Sequence, residues 1–228
     1  MPAQESKEST VTVLGIDPGT NVLGYGVLRL TGRQAEMVAM GVIDMRKCRD
    51  VYTKLGRIYE RVAGLIDAFG AQELAIESPF FGKNVQSMLK LGRAQGVAIA
   101  AAISRGLPIH EYAPMKIKQC ITGNGSATKE QVAWALKRML NIQESDTVPF
   151  LDATDALGAA YCHFIEAHAP GLNLQRGACS GSRRHTMSWR DFAQRLPKEE
   201  KANAARMMNI SPKLLNDTTF EVGVDNNM

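Results

Sequence analysis

The sequence predicts an α/β fold, a mixed five-stranded sheet flanked by helices. Two observations carry that expectation. Near the N-terminus three strand-like stretches follow one another with only short turns between them, the pattern of an antiparallel meander. Beyond them, segments with a helical period alternate with short apolar runs, and such alternation packs helices against a sheet.

The first strand is Val11-Thr12-Val13-Leu14-Gly15-Ile16, apolar enough to be central and buried, ending in Asp17 and stopped by Pro18-Gly19. Gly24 to Leu30 predicts the second strand, Thr31-Gly32-Arg33 a hairpin turn, and Gln34 to Asp44 the third strand. Leu55, Ile58, Tyr59, Val62, Leu65, Ile66 and Phe69 recur at helical spacing, so a helix is expected over Val51 to Phe69, closed by Gly70. Leu74-Ala75-Ile76 returns as a short buried strand with Glu77 at its end. Asn84 to Arg105 reads as a second helix, rich in glycine and alanine that allow close packing. Pro108 to Tyr112 is a fifth strand, and Pro114 to Cys120 a short helix or turn. Thr128-Lys129-Glu130-Gln131 has the capping-box spacing that opens a helix running to Leu140. The last helix of the series starts at Leu151 or Asp152 and continues through Phe164.

With 228 residues, 45% of them hydrophobic and 22% charged, the chain suits one globular domain with extensions. Residues 1–10 lack the apolar core of a secretion signal and read as a flexible tail. Residues 11–169 form the expected domain, and 170–228 a basic, partly disordered extension. The net charge of +4 permits a polyanionic partner without requiring one. Its excess is local, because Gly171 to Arg206 holds 8 basic and 3 acidic residues. There Trp189, Phe192, Leu196, Ala204 and Met207 suit a small helical element interrupted by Pro197, and Asp217 to Met228 reads as disordered. The longest apolar run, Gly96 to Ile103, falls far short of the roughly 20 residues that span a bilayer, so no membrane association is expected. Cys48, Cys120, Cys162 and Cys179 are widely spaced, with no C-x-x-C pair and no neighbouring histidines at zinc-ligand spacing. They are expected to be reduced thiols in a cytoplasmic protein.

Four carboxylates stand out. Asp152 and Asp155 are three apart, which on a helix puts both on one face. Asp17 and Glu77 end strands, so a helix crossing the sheet can bring all four together. Such a cluster repels itself unless divalent cations neutralise it, and oxygen donors favour magnesium or manganese over zinc. Two ions in such a site activate a water and stabilise the leaving oxygen of a phosphodiester. The plain alternative is a turn residue at Asp17, a solvated strand end at Glu77, and an N-cap with a first-turn acid at Asp152 and Asp155. Spacing alone does not choose between them.

Leu14-Gly15-Ile16-Asp17-Pro18-Gly19-Thr20, Gly24-Tyr25-Gly26-Val27, Ala75-Ile76-Glu77, Leu91-Gly92-Arg93-Ala94-Gln95-Gly96-Val97, Lys118-Gln119 and Asp152-Ala153-Thr154-Asp155-Ala156-Leu157 resemble, in the same order, the RuvC family of bacterial Holliday-junction resolvases. The resemblance spans about Val11 to His168. It implies a ribonuclease-H-like fold, a homodimer, and paired symmetrical nicks in four-way junction DNA during recombination and repair. It further implies two Mg2+ ions per active site, or Mn2+ in their place, held by Asp17, Glu77, Asp152 and Asp155. A branch-migration complex of the RuvA and RuvB type is an expected partner.

The same resemblance gives meaning to other positions, each with a plain counterpart. Phe80 and Phe81 match aromatics that stack on unpaired bases, or are core residues. Lys118 and Lys129 match lysines beside the scissile phosphate, or are solvated surface lysines. Lys83 and Arg93 suit backbone phosphate contacts. The Gly123-Asn124-Gly125 loop approaches DNA or is an ordinary turn, and the small residues from Leu91 to Ala102 face a second subunit or a helix of their own. The 170–228 extension departs from the family pattern; its arginines Arg183, Arg184, Arg190 and Arg195 suit non-specific DNA contact. Beside a DNA resolvase, three other functions stay open: a ribonuclease-H-like nuclease acting on RNA, a junction-binding protein without catalysis, and a phosphate-binding fold of the sugar-kinase and actin type. The last lacks any recognisable second nucleotide-binding half.

Overall fold

Strand β1 (Thr10–Asp17) occupies the middle of the sheet, with hydrogen-bonded neighbours on both edges. The computed structural model describes residues 9–79, 84–142, 151–170, 212–216 and 219–222. β2 (Val22–Thr31) runs antiparallel to β1 in a register from Thr10 opposite Thr31 to Asp17 opposite Gly24. β3 (Gln34–Asp44) continues the meander, with a register shift at Val27/Leu28. On the other edge β4 (Glu73–Glu77) pairs parallel with β1, and β5 (Ile109–Tyr112) parallel with β4. Parallel neighbours require long crossovers, supplied here by helices α1 (Val51–Phe69) and α2 (Val85–Ile103). The resulting order is β3-β2-β1-β4-β5.

Strand alternation sorts the core into two layers. Leu14 and Ile16 of β1, with Leu74 and Ile76 of β4, pack against Ile58, Val62 and Ile66 of α1 and Ala94, Ala98, Ala101 and Ala102 of α2. The opposite face presents Val13, Leu28, Leu30 and Ala75 to Ile117 of α3 (Pro114–Thr122), Val132 and Leu136 of α4 (Lys129–Met139), and Leu157 and Tyr161 of α5 (Leu151–His163). Burial on both faces explains why β1 is apolar without alternation.

The helix ends follow their caps. The Asp50 carboxylate accepts from the Thr53 amide at 2.9 Å, and Gly70 closes α1 at φ 60°. Asn84 caps α2, and Thr128 with Gln131 completes the capping box of α4. Gly123 is the left-handed C-cap of α3 and the Asn124 side chain accepts from the Ser126 amide, so the 123–125 loop is accounted for as a turn. The alanines of α2 are buried within the subunit, whereas Gly92 and Gly96 are exposed with open space around them. Helix packing therefore explains one side of that small-residue segment.

Several expectations need correction. β1 includes Thr10, the last residue of the expected N-terminal tail, and residues 1–8 lie outside the described residues. The helix expected to run through Phe164 is α-helical only to His163; Phe164–His168 is a π-helical turn, with the Ala169 amide donating to the Phe164 carbonyl. The chain divides into units Met1–Ala178 and Cys179–Met228. In the second, β6 (Pro212–Asn216) pairs antiparallel with β7 (Thr219–Val222), so the disorder expected from Asp217 onward does not hold for β7. The helical element expected around Trp189 to Met207, and Cys179, lie outside the described residues. Cys48, Cys120 and Cys162 are free thiols. Among the described residues no helix is long and apolar enough to cross a membrane.

Candidate active site

Parallel pairing sets the first two carboxylates side by side. Ile16 of β1 is level with Ile76 of β4, so Asp17 and Glu77 are the next residues on adjacent strands. Both point to the α5 face, two residues beyond Gly15 and Ala75. Helix α5 reaches them because the strands carry glycine, with no side chain, at the three positions where its backbone lies closest, Gly15, Gly24 and Gly26. A Cβ on Gly15 would lie 2.1 Å from the Ala156 carbonyl oxygen, one on Gly24 1.9 Å from the Asp152 carbonyl oxygen, and one on Gly26 2.7 Å from the Leu157 Cα. Gly15 pairs with Gly26 and Asp17 with Gly24 across the β1–β2 ladder. Sequence reasoning missed this glycine floor, although Gly24 and Gly26 at strand spacing signal a close backbone approach.

The close approach assembles the acids. Carboxylate oxygens of Asp17, Asp152 and Asp155 lie within 4.8 Å of one another. Glu77 joins Asp17 and Asp155 on one cavity, with Lys118 and Lys129 beside them and Pro114, Ile117 and Val132 as an apolar wall. Buried Gln95 donates to Glu111 at 2.9 Å and reaches the Glu77 carbonyl at 3.5 Å, tying α2 to the ends of β4 and β5. The four acids that the sequence spreads over 139 positions thus stand together in space.

The cluster is electrostatically loaded. Burial, then the charges of Glu77 and Asp155, push Asp17 up to about 8. Burial and then Asp155 push Glu77 up to about 7, against the pull of Lys129 and Lys118. Burial disfavours the Lys129 ammonium, but its hydrogen bond to Asp155 and the charges of Asp155, Asp17 and Asp152 outweigh that and hold its pKa above the ordinary value. An all-oxygen, half-buried set carrying this much mutual repulsion fits a hard divalent cation.

A pH dependence follows. A cation ionises Asp17 and Glu77, so Mn2+ affinity is expected to rise between about pH 6 and about pH 9, with protons released on binding. Calorimetry in buffers of different ionisation enthalpy measures that release. A pH-independent affinity with no proton release would contradict it.

The remaining expected residues divide. Lys118 and Lys129 line the acid cavity. Arg93 is exposed on α2 and is not among the residues lining that cavity. Phe80, Phe81 and Lys83 lie outside the described residues.

Comparison with known proteins bears on the same constellation. The family model described as Crossover junction endodeoxyribonuclease RuvC matches residues 13–163, which include all four acids and both lysines. The chain belongs to the RuvC family. The RuvC of Bacteroides fragilis is 56% identical over 189 residues, covering 83% of this chain and 95% of that relative. The RuvC of Porphyromonas gingivalis is 53% identical over 185 residues, 81% of this chain and 94% of that one. The solved structure of T. thermophilus RuvC in complex with Holliday junction substrate superposes with a TM-score of 0.62 at 33% identity, over 67% of this chain and 92% of that chain. The mixed sheet with helices on both faces is thus the ribonuclease-H-like fold of RuvC. The 189 matched residues exceed the 169 that precede the C-terminal extension, so the similarity to the Bacteroides RuvC enters that extension. Residues 186–228 match a second family model, a domain of unknown function.

Proposed function

We propose that this RuvC-family endonuclease resolves four-way DNA junctions by paired symmetrical nicks, with Asp17, Glu77, Asp152 and Asp155 holding two Mg2+ or Mn2+ ions. The observation that supports this most is the convergence of Asp17, Asp152 and Asp155 within 4.8 Å, with Asp17 and Asp155 lining a cavity together with Glu77 and two lysines. When bound, such ions supply a nucleophile from water at neutral pH and neutralise the leaving oxygen. Asp17, perturbed by all three other acids, is the shared ligand. Lys129 orients Asp155 through their ion pair and, with Lys118, meets the scissile phosphate. Phe80 and Phe81 stack on bases opened at the crossover, and Lys83 and Arg93 contact backbone phosphates.

A homodimer suits the task, since two-fold symmetry lets one site per subunit address two opposed strands. A branch-migration complex of the RuvA and RuvB type delivers the junction, and the protein works in the cytoplasm. Residues 11–169 form the nuclease domain. The 170–228 extension adds phosphate contacts, so deleting 171–228 is expected to flatten the salt dependence of junction binding. An unchanged slope would rule those contacts out.

The test of function is a synthetic four-way junction incubated with Mg2+. Two symmetrically placed nicks are expected, with little cutting of linear duplex or of a junction built from RNA. Equal cutting of linear duplex, or preference for the RNA junction, would overturn the assignment.

A further inference from the structure

At the opposite end of β4 a second set of ligand-type side chains converges. Glu73, like Glu77, lies on the α5 side of the strand, and its carboxylate Oε2 is 2.6 Å from His163 Nε2 and 2.8 Å from His168 Nε2. One ligand atom from each lies within 4.8 Å of the others. The histidines are five apart, a spacing that a regular α-helix separates and the π-helical turn Phe164–His168 brings to one side. We propose that Glu73, His163 and His168 form a second divalent-metal site, of the zinc class, distinct from the nuclease acids.

Two imidazole nitrogens and one carboxylate oxygen favour zinc over magnesium, and three protein ligands leave a coordination position open. The surroundings fit that role. The Tyr112 hydroxyl lies 2.7 Å from His163 Nδ1, where it can accept the Nδ1–H of a ring that coordinates through Nε2. His110 stacks on the His163 ring, with centroids 4.1 Å apart, and fixes its plane. His163 is buried, whereas the His168 side chain is 23% exposed and lines an open cavity of about 310 Å3, a route for the ion.

Both clusters draw ligands from β4 and α5. The four residues from Glu73 to Glu77 rise about 13 Å along a strand, and the eight from Asp155 to His163 rise about 12 Å along a helix. A metal at the Glu73 end therefore clamps α5 to β4 at the far end of the helix that carries Asp152 and Asp155. Sequence reading found no histidine set because its members come from a strand and from both sides of a π turn.

The inference does not depend on junction cleavage. Co2+ titrated into the untagged full-length protein is expected to give the strong visible bands of a four- or five-coordinate nitrogen-containing site, at one equivalent, bleached by equimolar Zn2+. Those bands should vanish in His168→Gln and persist in Asp155→Asn. Glu73→Gln, which should also lose them, serves if His168→Gln fails to fold. Weak six-coordinate bands only, strong bands surviving both His168→Gln and Glu73→Gln, or bands lost in Asp155→Asn would overturn the proposal.

Discussion

Asp17→Asn is expected to slow junction cleavage under single-turnover conditions by about a thousandfold or more, while junction affinity in the absence of metal stays within about twofold. Asparagine keeps the size of the side chain at the end of β1 but loses the charge that Glu77, Asp152 and Asp155 jointly strain against. Because Asp17 is held up to about 8 in the folded metal-free protein against an ordinary 3.8, its ionisation opposes folding. That penalty is absent below about pH 4 and complete above about pH 8. Metal-free Asp17→Asn should therefore be more stable than the parent at about pH 9, on the order of a few kcal/mol, and the gap should close as pH falls. Thermal unfolding in EDTA across pH reads this directly. A mutant less stable than its parent at high pH would mean that Asp17 is not under that strain.

Gly15→Ala is the second large effect. Its Cβ meets the Ala156 carbonyl oxygen at 2.1 Å and the Ala160 Cβ at 2.9 Å, backbone and helix contacts that no rotamer change relieves. Helix α5 has to move outward, with overpacking costs of about 1–3 kcal/mol or more. Because α5 carries Asp152 and Asp155, a displacement of about 1 Å at the site can lower cleavage by about a hundredfold. Gly64→Ala is the control. It lies exposed on α1 with nothing within 4 Å of the added Cβ, and is expected to leave cleavage unchanged and raise stability by up to about 1 kcal/mol. Unchanged Mn2+ affinity and cleavage in Gly15→Ala would refute the role assigned to the glycine floor.

What the sequence disclosed depended on whether the signal was local. Helix α1 spans Val51–Phe69 as its apolar period required, because Asp50 and Gly70 terminate it with side-chain and left-handed caps. The capping box of α4 was legible for the same reason. Individual strand-end acids were visible as charges out of place, but their convergence depends on β1–β4 register and on the depth at which α5 sits. Those are long-range properties that only the ordered RuvC motifs supplied beforehand. The glycines beneath α5 carry no local signal beyond their place in strands, since nothing near them in sequence says which face a helix covers. The π turn after His163 has no strong compositional mark, so the Glu73 cluster was invisible. The α2 alanines were ambiguous because small residues serve an internal and an intersubunit interface equally well, and burial assigned Ala94, Ala98, Ala101 and Ala102 to the interior.

We propose that the four acids form one divalent-cation site. A crystal structure of the protein with junction DNA and Mn2+, read by anomalous scattering, tests it most directly. Two manganese peaks are expected in the acid cavity, both within about 2.0–2.4 Å of Asp17 oxygens, with Glu77, Asp152 and Asp155 completing the protein ligands. An acid cavity without anomalous density at saturating Mn2+, or manganese bound there without Asp17, would contradict the account.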